Sequence, residues 1–152
     1  MTHAHPHALP RSVAWLGYGG LLPFVMLTAA SPLDPAHAAL WQHALLAYGA
    51  IILSFVGALH WGLAMSLPDP GAQRSPAWFA WSVVPALIAW LALLLTPAPA
   101  AALLAGGFLA HLLQDRRLAR QSSLPGWYLP LRLRLSSVAV LCLLTNFILQ
   151  TL

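Results

Sequence analysis

Five stretches of this chain carry no aspartate, glutamate, lysine or arginine and are predominantly apolar: residues 12–30, 42–66, 77–96, 98–113 and 135–152. A helix needs roughly 20 such residues to cross a hydrocarbon core of about 30 Å. The backbone must satisfy its own hydrogen bonds there, which leaves helices or closed barrels. None of the five runs alternates polar with apolar residues as a barrel strand does, so helices are predicted. Composition closes the soluble alternative. The 152 residues are 60% hydrophobic and 7% charged, whereas a soluble domain is about 25% charged. The expected fold is therefore all-α: a single polytopic membrane bundle, residues 1–152, with about five transmembrane helices.

The few charges are placed with a pattern. All seven basic residues are arginines: Arg11, Arg74, Arg116, Arg117, Arg120, Arg132 and Arg134. With the N-terminus inside, every one falls on the cytoplasmic side, as the positive-inside rule requires. The expected topology is N-in, C-out. Residues 1–11 read as a flexible tail whose His3, His5 and His7 alternate. The first apolar run is longer than the 7–15-residue h-region of a signal peptide. Residues 114–134 read as an Arg-rich cytoplasmic loop. Within it Arg116, Arg117, Arg120, Trp127 and Tyr128 are candidate contacts for anionic lipid headgroups. A pI near 10.3 does not imply nucleic acid, because seven arginines are too few to track a phosphate backbone.

Small residues recur every four positions in two runs, as Ala50, Ser54, Ala58, Gly62 and as Ala98, Ala102, Gly106, Ala110. Both are candidate helix–helix seams, since close approach replaces hydrophobic drive in lipid. Of seven tryptophans, Trp15, Trp41, Trp78, Trp81 and Trp127 lie near span ends and read as interfacial anchors.

Ionisable side chains inside spans are the candidates for function. His60 lies within the second run beside Trp61, and Gly57 and Gly62 flank it with room for a backbone or flat ligand. His111 lies in the fourth run, and Asp115 follows at i+4 on the same face. The second and fourth runs cross in the same sense, which brings His60, His111 and Asp115 to one depth, near Arg132 and Arg134. Such a cluster can ligate a metal or haem, move a proton or hold a headgroup. Each polar group can equally fix packing by bonding a neighbouring helix. His37 and His43 can pair with Asp34 at the opposite end. No phosphate loop, zinc-protease or serine-hydrolase motif is present, and no motif assigns a cofactor. The lone Cys142 excludes an internal disulfide.

The segment Leu53-Ser-Phe-Val-Gly-Ala-Leu-His60-Trp61-Gly62 resembles the domain-of-unknown-function 3429 family, the transmembrane-protein-69-like small membrane proteins. Leu16-Gly-Tyr-Gly-Gly-Leu-Leu-Pro-Phe24, Ala47-Tyr-Gly-Ala50 and Gly126-Trp-Tyr-Leu-Pro-Leu-Arg132 carry the same resemblance. It implies a bacterial or mitochondrial inner membrane and no particular reaction. The arginine-only basic set suits a GC-rich bacterial genome, and the expected location is the bacterial inner membrane. Two functional readings remain. One is a non-enzymatic accessory or assembly component with a membrane-protein partner. The other is a ligand-, haem-, metal- or proton-handling module built on His60, His111 and Asp115.

Overall fold

The computed structural model describes residues 9–66, 76–121 and 124–151, and among them every regular element is helical. The His3–His7 tail, Asp69 and Arg74 lie outside the described residues.

The first apolar run forms two helices, α1 (Arg11–Gly19) and α2 (Leu22–Leu33), which together make one apolar segment of 23 residues. The break has a local cause. Pro23 lacks the N–H that would continue the ladder, and Gly19-Gly20 favours a turn over a helix interior. The carbonyl of Gly20 is instead satisfied by the Tyr48 hydroxyl, which donates to it at 2.8 Å. A carbonyl at this depth needs such a partner because lipid supplies none.

After a short 3₁₀ turn, Pro35–His37, comes α3 (Ala38–Ser66), the longest helix at 29 residues. Then follow α4 (Pro76–Leu93), α5 (Pro97–Gln121) and α6 (Tyr128–Thr151). The segments Arg11–Leu33, Pro35–Met65, Pro97–Arg120 and Tyr128–Thr151 are each long and apolar enough to cross a membrane, and α4 is a shorter apolar helix beside them. The chain is an all-helical membrane protein.

Two boundaries differ from expectation. Helix α5 extends to Gln121 instead of ending near 113, and α6 begins at Tyr128 instead of near 135. The described part of the 114–134 segment is therefore mostly helix, with residues 124–127 lying outside it. Gln114–Gln121 stays helical because it is amphipathic. Asp115 and Leu118 face inwards while Arg116, Arg117 and Arg120 face out.

Packing runs α2 on α3, α3 on α4, α4 on α5 and α5 on α6, with α3 also touching α5 and α1 touching α6. Phe24, Leu45, Leu53, Leu104 and Leu143 are fully buried where these helices meet. The four-residue stripes are not the seams. Ala58, Gly62, Ala102 and Gly106 are exposed, and the buried faces run Leu46, Ala50, Leu53, Gly57, His60 and Ala101, Leu104, Ala105, Phe108, His111. In so alanine-rich a chain a small-residue period arises on any face. Close approach occurs where a glycine meets a bulky neighbour: a Cβ on Gly57 would lie 2.9 Å from Pro85 Cβ, and one on Gly107 would lie 2.7 Å from Leu53 Cδ2.

Candidate functional site: a buried carboxylate and its ring of donors

His60 comes from the last two turns of α3, and His111 and Asp115 from the far half of α5. The parallel run of α3 and α5 puts them at one level, and their apolar neighbours turn them inwards. Asp115 is fully buried, His111 is 0% exposed and His60 is 3% exposed. His60 Nε2 donates to Asp115 Oδ1 at 2.7 Å. From the first turns of α6, Arg132 Nε donates to Oδ2 at 2.7 Å, and the Tyr128 hydroxyl donates to Oδ1 at 3.0 Å. Tyr128 and Arg132 are i, i+4 partners on one face of α6, so the helix presents both to the same carboxylate. A carboxylate with a charged and two neutral donors retains its charge in a dry interior at tolerable cost.

The second histidine is held differently. Trp81 Nε1, on α4, donates to His111 Nδ1 at 3.3 Å. That bond makes Nδ1 the acceptor, so the neutral ring carries its proton on Nε2. His111 Nε2 faces Asp115 Oδ1 at 3.8 Å, beyond hydrogen-bond length. The two imidazoles lie against each other with centroids 4.5 Å apart. Two buried donor atoms then lack a partner among the described residues, His111 Nε2 and Arg132 Nη2.

Ligand atoms of His60, His111 and Asp115 all lie within 4.8 Å of one another, the spacing of a metal site. The chemistry of the donors argues against one. A metal-bound histidine offers its lone pair inwards and donates its other N–H outwards. Here both imidazole nitrogens turned towards Asp115 carry protons, and a guanidinium shares the same carboxylate. Haem ligated by both histidines is disfavoured by geometry, since rings in mutual contact leave no room for an iron between them. The arrangement suits a hydrogen-bond acceptor better than a cation.

The remaining candidates lie elsewhere. Trp61 is half exposed and packs edge-on against Phe79, with centroids 5.0 Å apart. Gly62 has open space around it, whereas Gly57 is pressed against Pro85 and the Ser82 carbonyl. Arg134, two residues from Arg132, points away from the cluster because i, i+2 positions do not share a helix face. It donates to the Tyr18 hydroxyl at 3.1 Å. Arg116, Arg117 and Arg120 are exposed, and Trp127 is half-buried beside Tyr128. Tyr128, expected at the headgroups, instead binds Asp115, because α6 starts early enough to carry its hydroxyl inwards. Trp81, expected as an interfacial anchor, spends its indole N–H on His111. Only the Tyr128–Arg132 spacing gave a sequence signal for this; nothing marked Trp81 apart from its depth. At the other end of the bundle, Asp34 accepts from His37 Nδ1 at 3.0 Å and from Trp41 Nε1 at 3.2 Å, while His43 is exposed.

The fold and the cluster define a class: small polytopic helical membrane proteins with an ionised pair buried at one end. Within that class the chain belongs to the family described as Protein of unknown function (DUF3429), whose model matches residues 9–148. It is also 35% identical over 145 residues to Transmembrane protein 69 of Xenopus tropicalis, an alignment covering 91% of this chain and 54% of that protein. The chain thus spans about half the length of the curated relative it matches. No solved structure matches it.

Proposed function

We propose that the chain is a non-enzymatic ligand-binding module of the bacterial inner membrane, in which the Asp115 cluster receives a polar acceptor group. One observation carries the reading: two buried donors, His111 Nε2 and Arg132 Nη2, have no partner beside a carboxylate already engaged by His60, Tyr128 and Arg132. Leaving a buried donor unmade costs about 1–3 kcal/mol, and more for a charged group. A ligand oxygen that accepts from either atom recovers that energy. The accessory role expected first from the sequence rests on the interfacial tryptophans, the small-residue stripes and the dearth of polar sequence, and nothing in the cluster favours it. Orientation follows from charge. Arg11 begins α1, the helix whose Tyr18 meets Arg134 near the start of α6, and the exposed Arg116, Arg117 and Arg120 lie at the end of α5 that leads into α6. The positive-inside rule then assigns the cluster to the cytoplasmic leaflet.

The test is chemical. Protein purified in mild detergent is extracted with organic solvent, and the extract is analysed by mass spectrometry beside that of His111→Phe. The expected result is a compound near one per chain that the variant loses. Bulk phospholipid alone, the same from both proteins, overturns the reading.

A further inference from the structure

Three arginines near the end of α5 carry charge that the chain does not balance. Arg116, Arg117 and Arg120 are exposed, and among the described residues none of them forms an ion pair or a side-chain hydrogen bond. The described carboxylates are two. Asp34 lies at the opposite end of the bundle, and Asp115 is buried with Arg132 already at 2.7 Å. Only Arg120 sits in the last turn of α5, where a cation offsets the helix dipole. Arg116 and Arg117 lie further back, beyond the reach of that effect.

The three share one face. With 3.6 residues per turn they fall within an arc of about 100°, on the side of α5 away from Asp115, and span about 6 Å along the axis. The same side carries the exposed Leu109 and Leu113 in the preceding turns. It is therefore apolar as far as Leu113 and cationic from Arg116 onwards. Arg117 follows Leu113 by one turn, about 6 Å, so the change of character is as abrupt as the passage from hydrocarbon to headgroup.

An occupant complementary to the whole face needs an apolar chain and an anionic head joined at that boundary. A guanidinium meets a phosphate with two parallel N–H···O bonds, and i, i+3 and i, i+4 spacings bring neighbouring guanidiniums to one head. A soluble anion matches only the cationic half. A zwitterionic lipid brings a cation of its own into a patch already unbalanced by three.

We infer that this face of α5 binds one anionic phospholipid, its phosphate held by Arg116, Arg117 and Arg120 and a chain lying along Leu113 and Leu109. Tyr128, grouped with these arginines from the sequence, takes no part, because its hydroxyl donates to Asp115. The site is separate from the Asp115 cluster and does not depend on a ligand there.

The test is native mass spectrometry of the purified chain in mild detergent, incubated with phosphatidylglycerol or with phosphatidylcholine of the same acyl chains. The first phosphatidylglycerol is expected to bind at least tenfold more tightly than phosphatidylcholine. The triple variant Arg116→Gln, Arg117→Gln, Arg120→Gln loses that preference, with the helical circular dichroism unchanged. Each single substitution lowers phosphatidylglycerol affinity about fivefold, the factor set by about 1 kcal/mol per basic residue at an anionic surface. Arg11→Gln is the control, since Arg11 is exposed but begins α1. A diffuse field from all the arginines at this end is weakened as much by Arg11→Gln as by Arg116→Gln, whereas a site on α5 is not. Equal losses from those two variants overturn the inference, as does equal affinity of the wild type for the two lipids. So does displacement of phosphatidylglycerol by millimolar inorganic phosphate, which would assign the arginines to a soluble anion. His111→Phe keeps the lipid preference, so failure of the Asp115 ligand and failure of this site are told apart.

Discussion

Replacing Asp115 by asparagine is the sharpest perturbation this structure offers. The substitution barely changes volume, so packing is preserved and only charge and hydrogen bonding are altered. In the native cluster, Oδ1 accepts from His60 and Tyr128, and Oδ2 accepts from Arg132. An asparagine has one acceptor oxygen and one donor NH₂. Whichever way it turns, its NH₂ confronts at least one donor. If the oxygen serves His60 and Tyr128, the guanidinium of Arg132 is left buried with no counter-charge. Removing one partner of a buried ion pair costs about 3–5 kcal/mol. The reference state here is a chain whose helices remain in micelles, where polar groups find substitutes, and hydrogen bonds between membrane helices average only about 0.6 kcal/mol. The charge dominates that balance, so the expected loss is about 3 kcal/mol, roughly a hundredfold in the folding equilibrium.

The assay is equilibrium unfolding of purified protein by dodecyl sulfate in mixed micelles, followed by tryptophan fluorescence. Asp34→Asn supplies the control, since its pair with His37 is exposed and is expected to contribute less than about 1 kcal/mol. The sign of a double mutant sharpens the test. Adding Arg132→Met to Asp115→Asn deletes the stranded charge, so the double variant should be more stable than Asp115→Asn alone, a coupling that independent sites do not show. If Asp115→Asn lies within about 1 kcal/mol of wild type, the ion pair is not a dry, mutually dependent unit. If Arg132→Met adds a further loss to Asp115→Asn, the argument that an uncompensated charge carries the cost is wrong.

Three further outcomes are expected. Gly57→Ala should destabilise the protein by about 1–3 kcal/mol in the same assay, because its Cβ would press on Pro85 and the Ser82 carbonyl, neither of which can swing away. Gly62→Ala and Gly106→Ala, with nothing within 4 Å, should be neutral or stabilising by up to about 1 kcal/mol through helix propensity; destabilisation by either would show that a partner occupies that face. Cobalt(II), read by its visible absorption, should not bind the wild-type cluster at one equivalent, because Trp81 holds the inward proton on His111. Trp81→Phe frees His111 Nδ1 to carry that proton and should raise cobalt affinity. Stoichiometric binding by wild type would refute the proton assignment.

What could be read in the sequence, and what could not, divides along a physical line. Depth is legible, because an apolar run measures distance through a membrane at 1.5 Å per residue. Depth alone put His60, His111, Asp115 and Arg132 at one level. Which face of a helix turns inwards is far less legible in lipid. A lipid-facing leucine and a buried leucine have the same composition, so no polar stripe marks the outside. That is why Ala58 and Gly62 read as a seam yet face outwards, while Gly57, one residue away, lies against Pro85. The same degeneracy hid Trp81 and Tyr128, whose rings suit an interface as well as a cluster. The exception is instructive. Arg116, Arg117 and Arg120 lie outside while Asp115 and Leu118 lie inside, so amphipathicity returns where the helix reaches the polar boundary. By that rule Gln114–Gln121 belongs to α5, which carries the face that Asp115 shares with His111 past the end of the apolar run. Inward-facing charge in the apolar part of such a chain is then best sought by asking which acid has a basic residue at matching depth on another helix. Asp115 and Arg132 meet that condition, and among the described residues the bundle brings no other arginine to the same carboxylate.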